Sequence, residues 1–165
     1  MKKSKLYYLL SIIVLILLDL WSKNWIVNNL KGKENIVWIK NVFELEYLEN
    51  TGAAFSSFLG KQGFLITLTA FVLAFCLVKF FMIPEGKRFI PLNIAFTLLI
   101  AGAIGNMIDR IKQGFVVDFF YFVPINFPRF NVADIYITLS VPLLFILLFF
   151  VYKDEEVDFL FKFKK

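Results

Sequence analysis

Four aspartates, Asp19, Asp109, Asp118 and Asp134, are the residues of this 165-residue chain best placed to do chemistry. A carboxylate becomes a working acid or base near neutral pH when burial or a second carboxylate raises its pKa. Composition closes the main rival chemistries. The chain has no histidine, so Ser-His-Asp and Cys-His catalysis lack their imidazole, and the usual His-ligated zinc centres cannot be built. Its single cysteine, Cys76, lies inside an apolar run. It has no partner for a disulfide or a thiolate cluster, and we read it as packing. Lysines and tyrosines remain as proton-transfer candidates, but the aspartates are the acids set among regularly spaced polar residues.

On a helix, residues three and four apart share a face. Asn106, Asp109 and Arg110 stand at that spacing, as do Asn131 and Asp134, and Asp19 and Lys23. Spacing alone leaves each acid with a bland alternative. Asp19 with Lys23 reads first as a structural ion pair, and Asp109 beside Arg110 reads equally as a pair or as an orienting group. Asp118 could be a solvated loop carboxylate, and Asp134 an acid at a helix N-terminus. Gly102 and Gly105, just before the polar cluster, predict a close helix approach.

The elements that must position these residues are membrane helices. With 59% apolar residues and a mean hydropathy of +0.74, the apolar stretches are too continuous for a soluble core of this size. Four approach the ~20 residues needed to cross hydrocarbon: Leu6 to Ile26, Gly63 to Ile83, Phe89 to Ile108 and Ile135 to Tyr152. The expected fold is an all-α membrane bundle forming one domain over residues 1–165. The first span resembles a secretory signal, but Asp-Leu-Trp-Ser-Lys follows it with no small-residue cleavage site, so it is expected to stay.

Lys2, Lys3 and Lys5 precede the first span, Lys87 and Arg88 separate the second and third, and Lys153, Lys162, Lys164 and Lys165 follow the fourth. The positive-inside rule then places both termini in the cytoplasm. Lys79 is expected to reach that same interface through its methylene stem. The net charge of +5 is thus a topological signal rather than a nucleic-acid-binding patch. The outer connections, 27–62 and 109–134, carry the remaining features. Phe43-Glu-Leu-Glu-Tyr47 alternates at period two before the turn residues Asn50-Thr-Gly52, which predicts a small external sheet. Phe119 to Phe130 is rich in aromatics and contains Pro124 and Pro128, as expected of a segment lying at the headgroup boundary. All four aspartates then fall at one depth, near the outer face.

At these residues the chain resembles the lipoprotein signal peptidase (signal peptidase II) family of aspartyl membrane peptidases. The matching blocks are Asp19-Leu-Trp-Ser-Lys23, Asn50-Thr-Gly-Ala-Ala-Phe55, Gly105-Asn-Met-Ile-Asp-Arg110 leading through Gly114 to Val116-Val-Asp-Phe119, and Phe127-Pro-Arg-Phe-Asn-Val-Ala-Asp134. Leu20 stands where the family usually has Gln. The resemblance implies that Asp118 and Asp134 are the catalytic dyad. It implies that Asp19, Lys23, Asn50, Gly52, Asn106, Asp109, Arg110 and Asn131 support that dyad or line the substrate groove. It further implies cleavage of bacterial prolipoproteins before a diacylglyceryl-modified cysteine, by a monomer in the cytoplasmic membrane. No metal or organic cofactor and no nucleic-acid partner are expected. Two other classes remain open on the residues alone: a proton-coupled transporter, which a flux assay would reveal, and a non-enzymatic assembly protein, which would cut nothing.

Overall fold

Long runs of Leu, Ile, Val and Phe have no water-facing stripe, and their backbone polar groups can be satisfied only within the segment, so they fold as helices. A computed structural model describes residues 3–52 and 61–161. Its long helices are α1 (Lys3–Leu30), α2 (Gln62–Met82), α3 (Ile90–Gln113) and α4 (Val132–Ile146), the last continued by a π-helical turn at Leu147–Val151. All four are long and apolar enough to cross a membrane. Local chemistry sets their ends. Ile83 precedes Pro84 and takes up extended backbone where α2 stops. Gly114 closes α3 in the left-handed conformation, with φ of 78°. Asn131 opens α4 with a reciprocal capping box to Asp134.

Helix α3 is central, packing against α1, α2 and α4. Small residues make the closest approach possible: a Cβ at Gly102 would stand 2.5 Å from the Ala133 carbonyl oxygen, and one at Gly105 would stand 2.5 Å from Asp19 Oδ2. The outer flanks of α1, α2 and α4 present large apolar side chains, among them Phe71, Phe75 and Phe145. Outward-facing apolar surface of this kind suits lipid as the solvent.

A sheet is present and larger than expected. It has three antiparallel strands in the order β1 (Ile36–Ile39), β2 (Phe43–Asn50), β3 (Val116–Phe122). Leu48 pairs with Asp118 and Asn50 with Val116. The sheet sits on the end of α1, where Ile26, Leu30, Leu45, Val117 and Phe119 form a second small core. Three features differ from the expectations. The start of the outer aromatic segment is a strand, β3, paired to β2, where the sequence reading named no strand. Asp109 makes its ion pair with Lys23 rather than Arg110. Lys79 is fully buried rather than extended to water, with its Nζ 3.4 Å from the Phe159 carbonyl oxygen. That carbonyl belongs to a fifth helix, α5 (Asp154–Phe161), which the sequence reading did not anticipate. Cys76 is buried and free within the main core.

Candidate active site

The site lies where the sheet meets the ends of α1, α3 and α4. Its frame begins with Lys23, one turn beyond Asp19 on α1. Lys23 Nζ lies 2.8 Å from Asp19 Oδ2 and 3.1 Å from Asp109 Oδ2, and it donates to Asn106 Oδ1 at 2.9 Å. All four residues are buried. A buried cation costs several kcal/mol of desolvation unless matched, and here two carboxylates and an amide oxygen surround it. Each carboxylate also takes a backbone donor. Asp19 Oδ1 accepts from Ala133 N–H at 2.9 Å, tying α1 to α4. Asp109 Oδ2 accepts from Val117 N–H at 3.3 Å, tying α3 to β3.

Asp118 and Asp134 stand on the other side of three asparagines. Asn50 Nδ2 donates to Asp118 Oδ2 at 2.8 Å, and Asn131 Nδ2 donates to Asp118 Oδ1 at 2.6 Å. Asn106 Nδ2 donates to Asp134 Oδ1 at 2.8 Å, and the Asn131 N–H donates to Asp134 Oδ2 at 3.1 Å. Each of the four carboxylate oxygens therefore accepts an N–H, and Asn131 bonds to both acids. Asn50 is held in turn, its Oδ1 accepting from Gly52 N–H at 2.9 Å. Arg110 closes this corner by donating to the Gly52 carbonyl at 3.0 Å and, more weakly, to the Asn106 carbonyl at 3.4 Å.

The two acids differ in surroundings. Asp118 is 1% exposed, whereas Asp134 is half-buried. Burial, and after it the charge of Asp134, push the Asp118 carboxyl from its ordinary 3.8 up to about 7, against the opposing hydrogen bonds from Asn50 and Asn131. Two interacting carboxyls in unlike environments can divide acid and base roles.

The structure thus brings all ten predicted residues, Asp19, Lys23, Asn50, Gly52, Asn106, Asp109, Arg110, Asp118, Asn131 and Asp134, into one connected network. Sequence reasoning missed the two backbone donors, Val117 and Ala133. Both follow from register, since Val117 adjoins Asp118 on β3 and Ala133 lies in the first turn of α4. No group of His, Cys, Asp and Glu suited to a metal ion occurs among the described residues.

Comparison with known proteins bears on this arrangement. The sequence profile of signal peptidase (SPase) II matches residues 11–150. A lipoprotein signal peptidase of Lactococcus lactis subsp. lactis is 48% identical over 144 residues, covering 86% of this chain and 93% of that protein. One from Clostridium tetani is 43% identical over 151 residues, covering 89% and 94%. A solved bacterial membrane enzyme superposes with a TM-score of 0.76 at 29% identity, covering 96% of this chain and 93% of its own. A second, at 30% identity, has the same TM-score and covers 88% and 94%. With four helices able to cross a membrane and neighbours of this kind, the chain is a multi-pass membrane protein and a protease, and it belongs to the signal peptidase II family.

Proposed function

We propose that this chain removes signal peptides from lipoprotein precursors as an aspartic endopeptidase, with Asp118 and Asp134 as its catalytic pair and the cut falling just before a diacylglyceryl-modified cysteine. The observation that carries the reading is the amide network linking all four oxygens of these two carboxyls. Amides add no charge, so the pair relieves its mutual repulsion by sharing one proton. The buried Asp118, with its carboxyl raised to about 7, is the member that holds it. The half-buried Asp134 is the more open of the two to an attacking water.

Asp134 takes a proton from the attacking water as its oxygen bonds to the scissile carbonyl carbon. Asp118 donates toward the carbonyl oxygen and steadies the tetrahedral intermediate. Collapse then breaks the C–N bond, and the leaving amine takes a proton from the pair. Asp19, Lys23 and Asp109 hold the frame; Asn50, Asn106 and Asn131 aim the acids; Arg110 and Gly52 shape the wall beside them. A substrate that is itself a membrane helix reaches this site sideways from the bilayer, which accounts for acids placed at the helix ends. Both termini are assigned to the cytoplasm and the site to the outer face, following the distribution of basic residues.

The test is incubation of detergent-purified wild type, Asp118→Asn and Asp134→Asn with a diacylglyceryl-modified precursor, reading released signal peptide. Both variants are expected to remain folded and cut nothing. Turnover near the wild-type rate by either one overturns the dyad assignment.

A further inference from the structure

The free edge of the sheet has a composition that water would not tolerate. β1 reads Ile36-Val37-Trp38-Ile39, and every one of its residues is exposed, so both faces of the strand are apolar and uncovered. Trp38 is 66% exposed, Ile39 58% and Val37 53%, with Val42 beyond the turn also open. A half-buried strand would alternate apolar and polar residues. Its one described ring contact is Trp38 stacked on Phe43, which leaves most of the indole open. Among the described residues, no strand pairs with its outer edge.

Three occupants could cover such a strand, and the structure favours one. A second copy adding edge to edge needs a regular ladder, but the pairing of β1 is broken by an irregularity between Val37 and Ile39, a device that discourages edge association. The substrate backbone belongs beside Asp118 on β3, and β2 lies between, which sets β1 about 10 Å away. The remaining occupant is the bilayer itself. Trp21 and Trp25 are exposed on the half of α1 that leads to the sheet, Ile111 is exposed in the last turn of α3, and Ile125 and Phe127 follow β3. These side chains and Trp38 belong to the same end of the molecule as the acids. Such an aromatic and aliphatic belt is what the headgroup boundary selects.

We infer that the β1–β2 hairpin dips its β1 edge into the acyl-headgroup boundary of the surrounding bilayer, with Trp38 as its anchor. The attachment is apolar rather than ionic. Lys31 is tied to Glu49, and Lys33 and Lys40 are offset by Glu34 and Glu44 nearby in sequence, so zwitterionic lipid suffices. Anchored at that edge, the sheet would fix the depth of Asp118, which β3 carries and β2 pairs to β1.

The test uses the full chain with Trp38 as its one tryptophan, made by Trp21→Phe and Trp25→Phe at two exposed α1 positions. The protein is reconstituted in phosphatidylcholine vesicles whose acyl chains are brominated either near the glycerol end or near the methyl end. Expected are blue-shifted Trp38 emission, stronger quenching by the shallow bromines than by the deep ones, little quenching by aqueous iodide, and no change on adding salt. Iodide quenching with no bromine effect overturns the inference. So does spontaneous cross-linking between copies through Val37→Cys, since it would make a second chain the occupant.

Discussion

The raised pKa of Asp118 gives the sharpest quantitative test, because an acid held protonated in the folded state makes stability depend on pH in an unusual direction. Below about 3.8 the carboxyl is protonated whether the chain is folded or unfolded. Between 3.8 and about 7 the folded state keeps a proton that the unfolded state gives up. Folded protein then binds more protons than unfolded protein, so stability falls as pH rises through that window. The shift of about three units corresponds to about 4 kcal/mol, an upper value for a group that is 1% exposed. Asp118→Asn removes the titration. The assay is thermal unfolding of wild type and Asp118→Asn in detergent from pH 4 to about pH 8, taking the difference between them so that groups not coupled to Asp118 cancel. The variant should gain on the wild type steadily with pH, by up to about 4 kcal/mol. The gain is reduced by the bond lost where one Asn50 or Asn131 amide now faces another amide. Glu156, which Arg88 holds down at about 2, titrates below this window. A constant difference across the range would show Asp118 ionised throughout and refute the assignment of the shared proton to it.

Lys23→Met should lower stability by about 3–5 kcal/mol, since it leaves Asp19 and Asp109 buried without their cation; adding Asp19→Asn and Asp109→Asn should recover most of the loss in denaturation assays. Gly105→Ala should cost about 1–3 kcal/mol in denaturation assays, because the new methyl meets Asp19 Oδ2 at 2.5 Å and Ala133 Cβ at 3.4 Å. Asn131→Ala should lower unfolding temperature through loss of the α4 cap, worth about 1 kcal/mol, and should lower cleavage far more than stability, because the same side chain bonds Asp118.

The membrane helices were legible because continuous apolar runs leave a chain few alternatives, and the common depth of the acids followed from alternating spans. The strand β3 was not legible. Val-Val-Asp-Phe-Phe-Tyr-Phe lacks alternation because its first four residues are buried on both faces, packed between β2 and the helix ends. Helix α5 was missed because eight residues with Val157 and Leu160 as their buried pair give too short a period to read. The pairing of Asp19 with Lys23 was visible as a helical turn. That of Lys23 with Asp109 joins residues far apart in the chain and depends on how α1 packs on α3. The division of four acids into two working and two framing members came from the resemblance to a known family, since spacing treats them alike.

The geometry supplies a physical basis for that division. Among the described ion pairs, Lys23 serves Asp19 and Asp109, and none reaches Asp118 or Asp134. The framing acids share one cation and take a backbone donor each, and they hold helix to helix and helix to strand. The other two accept hydrogen bonds from neutral amides and backbone, and the Arg110 charge acts on both through space. Asn106 links the two sets: Lys23 and Asn131 both donate to its Oδ1, which obliges its Nδ2 to face Asp134. A buried lysine that touches neither proposed catalytic acid thereby fixes the hydrogen bond that one of them receives. In a chain with no imidazole, neutral amides oriented by a remote cation can aim two carboxyls without discharging them, and the proton they must share becomes available for chemistry.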